Sequence, residues 1–284
     1  MALFTNQAQL TFGDTVVNSN IAVGEILGVL NADKNATQET YTRGDRITYV
    51  INATNISGSQ INGVTITDNL GSFTQGGLTI YPLDYVAGSA LLYINGELVG
   101  APEEMAGPPL VFSGIALPAG ANMLLVYNAT VNGNAPLSSG STITNVATLS
   151  GESLDGVEVG ETITVLDEPE VTITKSIDPV PVAQGGRVTY RFLIQNYGNT
   201  AIAAADNAVI TDTFSPVLTN LAVNFNGASW TEGTNYTYNE ASGLFTTLAG
   251  QVTVPAATYT VEADGSVSVL PGSATLTVTG NIAL

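Results

Sequence analysis

The chain repeats itself, and the repeat fixes most of what it can fold into. Lys34 stands fifteen residues before Tyr49 and Lys175 fifteen before Tyr190, and each tyrosine follows a threonine and precedes an asparagine, Asn55 or Asn196, by six. The correspondence continues through Val64-Thr65-Ile66-Thr67-Asp68 against Ala208-Val209-Ile210-Thr211-Asp212, and through Leu117-Pro118 against Leu270-Pro271. Two copies of one unit are therefore present, each of about 100–150 residues and large enough to hold its own core. Inside each copy, runs such as Ile47-Thr48-Tyr49-Val50-Ile51-Asn52-Ala53 and Val188-Thr189-Tyr190-Arg191-Phe192-Leu193-Ile194 alternate in the period of a half-buried strand. The expected fold is all-β, two immunoglobulin-like β-sandwich repeats.

Composition removes whole classes of function. The chain has no cysteine and no histidine, which excludes disulfides, Cys/His zinc sites and histidine-based nucleophile triads. A net charge of −18 leaves no basic patch for nucleic acid or an anionic membrane surface. The expectation is a protein that is not an enzyme, uses no cofactor and holds no metal. The first residues, Met1-Ala2-Leu3-Phe4-Thr5-Asn6, carry no basic region leading into an apolar run, and no stretch is long enough to span a membrane.

The ordered motifs have a counterpart. Lys34, TYVINATN, TITD, LPAG and ITNVATL in the first copy, and Lys175, TYRFLIQN, VITD and LPG in the second, resemble the Gram-positive surface-protein repeat known as domain of unknown function eleven. The resemblance covers most of the chain and implies a surface protein of immunoglobulin-like domains.

The second copy stops short. The first runs from Pro118 through a strand at Met123–Val131 to a last strand at Thr142–Ser150, whereas the second ends thirteen residues after Pro271. The absent strand has its likeness at the other end of the chain, where Phe4-Thr5-Asn6-Gln7-Ala8-Gln9-Leu10-Thr11 parallels Ile143-Thr144-Asn145-Val146-Ala147-Thr148-Leu149-Ser150. Val23-Gly24-Glu25 follows the first of these as Val159-Gly160-Glu161 follows the second. An N-terminal strand would then complete the second domain of a neighbour by strand addition. Because donor and acceptor surfaces differ, the contact need not close on itself, and the chain's partner would be itself in a head-to-tail homopolymer. The boundaries that follow are a donor strand at 1–13, a linker at 14–25, a first repeat at 26–151, an inter-domain hairpin or linker at 152–169, and a second repeat at 170–284 lacking its last strand.

Strand parity points to chemistry inside the sandwiches. Lys34 shares a face with Leu30 and Ala32, and Lys175 with Val171 and Ile173; Asp68 aligns with Val64 and Ile66, and Asp212 with Ala208 and Ile210. Asn145 aligns with Ile143, Ala147 and Leu149, and Asn6 with Phe4, Ala8 and Leu10. Each repeat thus turns a lysine, an acid and an asparagine toward its core, where an unpaired charge costs several kcal/mol. A buried Lys–Asp ion pair with the asparagine bonded nearby is one reading. The other comes from a resemblance to collagen-adhesin-type pilin domains, which implies an autocatalytic isopeptide bond. There, burial leaves a neutral amine and a protonated acid, the amine attacks the asparagine carboxamide, and the acid assists as ammonia leaves. Asn281 lies ten residues after Pro271 as Asn128 lies ten after Pro118, so Asn281 matches Asn128 and not Asn145. The pairs implied are Lys34 with Asn145 inside one subunit, assisted by Asp68, and Lys175 with Asn6 of the next, assisted by Asp212.

The functional expectation is a structural subunit of an extracellular fibre on a spore or cell surface. An intact Met1 beside the donor strand suits an appendage assembled inside a cell and freed by lysis, with a trimmed cell-surface fibre second. The alternative is a monomeric adhesin stalk or binding module whose N-terminal strand folds back; Phe12 to Gly24 reach only about 40 Å.

Overall fold

The computed structural model describes residues 2–26, 28–152 and 154–283. Among them the chain is strand and loop, with one short 3-10 turn at Ala204–Asp206. It divides into two units, Met1–Asn132 with Ile143–Ile163, and Gly133–Thr142 with Thr164–Leu284.

The first unit is a sandwich of two sheets. One runs Glu97–Gly100, Leu91–Ile94, Asn122–Val131, Arg46–Asn55, Leu30–Ala36, with Leu83–Tyr85 also on Asn122–Val131. The other runs Glu103–Met105, Leu110–Leu117, Ile61–Asp68, Thr142–Gly151, Leu154–Val165, Thr40–Tyr41. Arg46–Asn55 and Asn122–Val131 bury every second residue, so Ile47, Tyr49, Ile51 and Ala53 face Met123, Leu125, Tyr127 and Ala129 across an antiparallel register that sets Tyr49 opposite Tyr127. Phe112 from the second sheet meets Tyr127 from the first at 5.4 Å between ring centroids, which closes the core between the layers.

The repeated asparagine after each tyrosine strand is a peg. Buried Asn55 donates its Nδ2 to the carbonyls of Ser59 at 2.8 Å and of Leu117 and Pro118 at 3.0 Å, so it holds the LPAG turn against its own strand. Asn196 does the same in the second unit, but its far carbonyl is Pro255 at 3.1 Å. The counterpart of Leu117-Pro118 is therefore Val254-Pro255, not Leu270-Pro271, and a hairpin of Thr258–Val261 and Val267–Leu270 is inserted before the next strand. Asn55→Ala would take the donor from the buried Leu117 carbonyl, while those of Ser59 and Pro118 keep the Ser57 hydroxyl and the Ala121 N–H, and is expected to cost the first unit about 1–3 kcal/mol in urea unfolding. A loss below about 0.5 kcal/mol, the level of a neutral surface change, would mean the peg is idle.

The second unit has one full sheet, in the order Val171–Asp178, Arg187–Asn196, Gly272–Ile282, Leu218–Phe225, Ala228–Trp230. Its other sheet has three strands, Thr211–Thr213, Leu244–Thr247 and Tyr236–Asn239. Val188, Phe192, Phe214, Leu218, Phe245, Leu276 and Val278 form the core between them. In the first unit Ile61–Asp68 is flanked on both edges, by Leu110–Leu117 and by Thr142–Gly151. Its counterpart Thr211–Thr213 pairs with Leu244–Thr247 alone and ends its sheet among the described residues. The inner face beyond that edge is uncovered: Ile173 is 54% exposed, and Val171 and Ile177 are exposed as well.

The N-terminal segment differs from a single strand followed by a linker. Ala2–Asn6 pairs with Ala22–Ile26 and Gln9–Phe12 with Thr15–Asn18, so most of 14–25 is the returning arm of a ribbon. Gly13, at φ +56°, makes the reversal, and the β-branched run Thr15-Val16-Val17 favours extension after it. The ribbon exposes Leu10, Phe12, Val16, Val17, Ile21 and Val23, an apolar display that a two-stranded hairpin cannot sustain by itself. Phe4, expected to face a core, has its side chain outside the described residues. The 152–169 segment is likewise no plain linker, since Leu154–Val165 is a strand of the first sandwich, and Gly133–Thr142 groups with the second unit.

Candidate functional site

Three strands deliver the first-unit cluster. Lys34 comes from Leu30–Ala36, Asp68 from the end of Ile61–Asp68 and Asn145 from Thr142–Gly151; each is inward by alternation, and Lys34 is only 3% exposed while Asp68 and Asn145 are fully buried. Lys34 Nζ donates to Asp68 Oδ2 at 2.7 Å. Asp68 Oδ1 accepts the Leu70 backbone N–H at 2.8 Å, and Oδ2 also accepts the Tyr127 hydroxyl. Asn145 turns its Nδ2 toward the Tyr127 hydroxyl oxygen at 3.3 Å and its Oδ1 toward the Gly71 N–H at 3.2 Å. Gly71 is held at φ +70°, where a Cβ would stand 2.5 Å from Ile143 Cγ2, so only glycine brings that N–H so close.

Aromatic rings wall the cluster. Lys34 Nζ lies 4.9 Å from the Tyr49 ring centroid and 6.0 Å from that of Tyr127, a cation–π placement. The two rings stack at 5.6 Å. The Tyr49 hydroxyl is fully buried and faces the Asn145 side chain without closing a hydrogen bond of good geometry among the described residues. Burial pushes the Lys34 amine below the usual lysine range, against the opposing pull of Asp68 and Glu161. Burial, with the Asp68 carboxylate beside it, holds the Tyr127 hydroxyl well above the usual phenol range. A lysine so placed gains access to its neutral, nucleophilic form.

The second-unit cluster has the same start and a different finish. Lys175 Nζ donates to Asp212 Oδ2 and sits 4.6 Å over the Tyr190 ring, with Phe192 and Phe214 each at 5.4 Å. Its side chain is 40% exposed, however, where that of Lys34 is closed off. The position that Tyr127 fills opposite Tyr49 is filled by Val278 opposite Tyr190. Asn6 stands in the other unit, exposed on the ribbon opposite Ala22. Asn281 lies on the strand paired with Arg187–Asn196, as Asn128 lies on the strand paired with Arg46–Asn55. The register sets Thr279, not Asn281, in the place of Asn128: Thr48 bonds Asn128 and Thr189 bonds Thr279. The two-residue offset comes from counting off Leu270-Pro271, which the inserted hairpin displaces.

Tyr127 and Gly71 were not singled out from sequence. Tyr127 was within reach, since Met123, Leu125, Tyr127 and Ala129 share one parity. That its hydroxyl meets both Asp68 and Asn145 depends on sheet stacking that no local pattern encodes.

No known family model matches the chain, and none of the curated proteins does. Solved structures do align with it. The major pilin subunit BcpA of Bacillus cereus is similar over 94% of this chain and 73% of its own, at 12% identity and a TM-score of 0.36. The 35 kDa C-terminal fragment of the major pilin GBS80 of Streptococcus agalactiae is similar over 86% and 91%, at 12% identity and 0.37. The collagen-binding domain of a Staphylococcus aureus adhesin is similar over 49% and 99%, at 9% identity and 0.31.

Proposed function

We propose that this chain is the structural subunit of an extracellular fibre that grows head to tail by strand donation. The observation that carries the reading is the open sheet edge at Thr211–Thr213, with the exposed face of Val171, Ile173 and Lys175 beside it. In the first unit the strand Thr142–Gly151 occupies the same edge, and its sequence recurs at Phe4–Thr11. The N-terminal ribbon of one subunit supplies that strand to the second unit of the next, which buries Ala8 and Leu10 and pairs the free backbone groups. The contact is heterologous, so it propagates. Lys34 joins Asn145 within a subunit, Lys175 joins Asn6 of the neighbour, and Asp68 and Asp212 assist. Each reaction happens once, so the chain is a fibre component and not an enzyme.

Negative-stain microscopy of the chain lacking residues 1–12 tests the donor. Both units fold and no filaments form. A synthetic peptide spanning Ala2–Phe12, in excess, shortens wild-type filaments, whereas the peptide with Ala8 and Leu10 changed to Asp does not. Filaments of normal length from the truncated chain would remove the N-terminal strand as donor.

A further inference from the structure

We propose that Tyr127 is a catalytic residue of the Lys34–Asn145 reaction, delivering the proton on which ammonia leaves, with the Gly71 N–H receiving the charge that gathers on the carboxamide oxygen. The inference rests on the reading that these two side chains become joined. It differs from a scheme in which the acid itself polarises the carboxamide, because Asp68 spends its oxygens on Lys34, Tyr127 and the Leu70 N–H. The carboxamide is held by other groups: Tyr127 at the nitrogen, 3.3 Å, and Gly71 at the oxygen, 3.2 Å.

The atoms balance through this arrangement. A proton first crosses the Lys34–Asp68 contact, leaving an amine and a carboxylic acid. Nζ attacks Asn145 Cγ; the Nζ–Cγ bond forms, and negative charge builds on Oδ1 against the Gly71 N–H, as at an oxyanion hole. Asp68 hands its proton to the Tyr127 oxygen as the tyrosine gives its own to Nδ2. The Cγ–Nδ2 bond breaks, ammonia departs, and Asp68 takes the surplus proton from Nζ. Tyr127 and Asp68 end as they began that step. The hydroxyl is the group placed at Nδ2, and a positioned proton donor at a leaving group is worth about 10²–10⁴ in rate.

Tyr127→Phe removes the hydroxyl and keeps the ring between Tyr49 and Phe112. The control is Tyr85→Phe, which deletes a tyrosine hydroxyl of the same unit that bonds Glu104 and touches none of Lys34, Asp68 and Asn145. Chains made by cell-free synthesis are sampled by intact mass over time, with near-ultraviolet circular dichroism and urea unfolding reporting the fold. The expected result is ammonia loss in the wild type and in Tyr85→Phe at equal rates, and at least about 100-fold slower loss in a folded Tyr127→Phe. Loss from Tyr127→Phe at the wild-type rate would overturn the role of Tyr127 and leave the bond standing. Equal slowing of both variants would overturn it too, since any change of polarity would then suffice. A wild type that never loses ammonia would overturn the bond itself.

Discussion

The monomeric chain is expected to weigh one ammonia less than its sequence, and Asn145→Ala to abolish that loss and lower the melting point of the first unit. The Lys34–Asn145 bond closes a loop of about 110 residues, and by analogy with a disulfide over such a loop it restricts the unfolded chain by about 4–5 kcal/mol. For a unit of this size that corresponds to roughly 10–15 °C. Asp68→Ala should also retain the full mass and fall further, because it leaves Lys34 buried without its carboxylate, a change that costs about 3–5 kcal/mol. Differential scanning calorimetry beside intact mass separates the two: Asn145→Ala loses the bond, Asp68→Ala the bond and the charge partner. A wild type of unmodified mass whose melting point Asn145→Ala leaves in place would reduce the cluster to a buried ion pair.

The second large effect concerns the fibre. A chain without cysteine has no disulfide to hold its subunits, so fibres that survive boiling in detergent with reductant need another covalent link. Lys175 is already on Asp212 and lined by three aromatic rings. What it lacks, relative to Lys34, is the strand that would cover it and bring an asparagine. Docking of the donor would supply both at once. Wild-type fibres should run as a ladder or fail to enter a denaturing gel. Lys175→Ala, Asn6→Ala and Asp212→Ala should each give fibres that fall to single chains under the same treatment. Wild-type fibres that dissociate as readily as the variants would leave strand addition in place and remove the cross-link.

Much of this was legible because β-structure writes its faces into the sequence. The parity of Lys34 with Leu30 and of Asp68 with Ile66 turns both charges inward, and the stacking of the two sheets puts them 2.7 Å apart. An inserted segment breaks the correspondence between the two copies. Leu270-Pro271 looks like Leu117-Pro118, yet Asn196 bonds Pro255, and the hairpin between Val254 and Gly272 moves everything counted from the wrong proline. The 14–25 segment read as a linker because its polar residues hide a short β-branched run; pairing with the preceding arm makes it a strand. Tyr127 has the right parity, but its contacts come from a hydroxyl that spans from one sheet to side chains of the other. Contacts of that kind belong to packing, which alternation does not specify.

The central claim, donation from one chain to the next, is tested most directly with isotopes. Filaments are grown from an equal mixture of unlabelled and nitrogen-15-labelled chains, dissolved, digested and searched by mass spectrometry for the peptide carrying Lys175 joined to the peptide carrying Asn6. Head-to-tail growth predicts that about half of the joined pairs combine one labelled and one unlabelled partner, as random heterologous contact requires. Joined pairs of matching label only would mean that each chain folds its ribbon back onto itself, and would contradict the fibre.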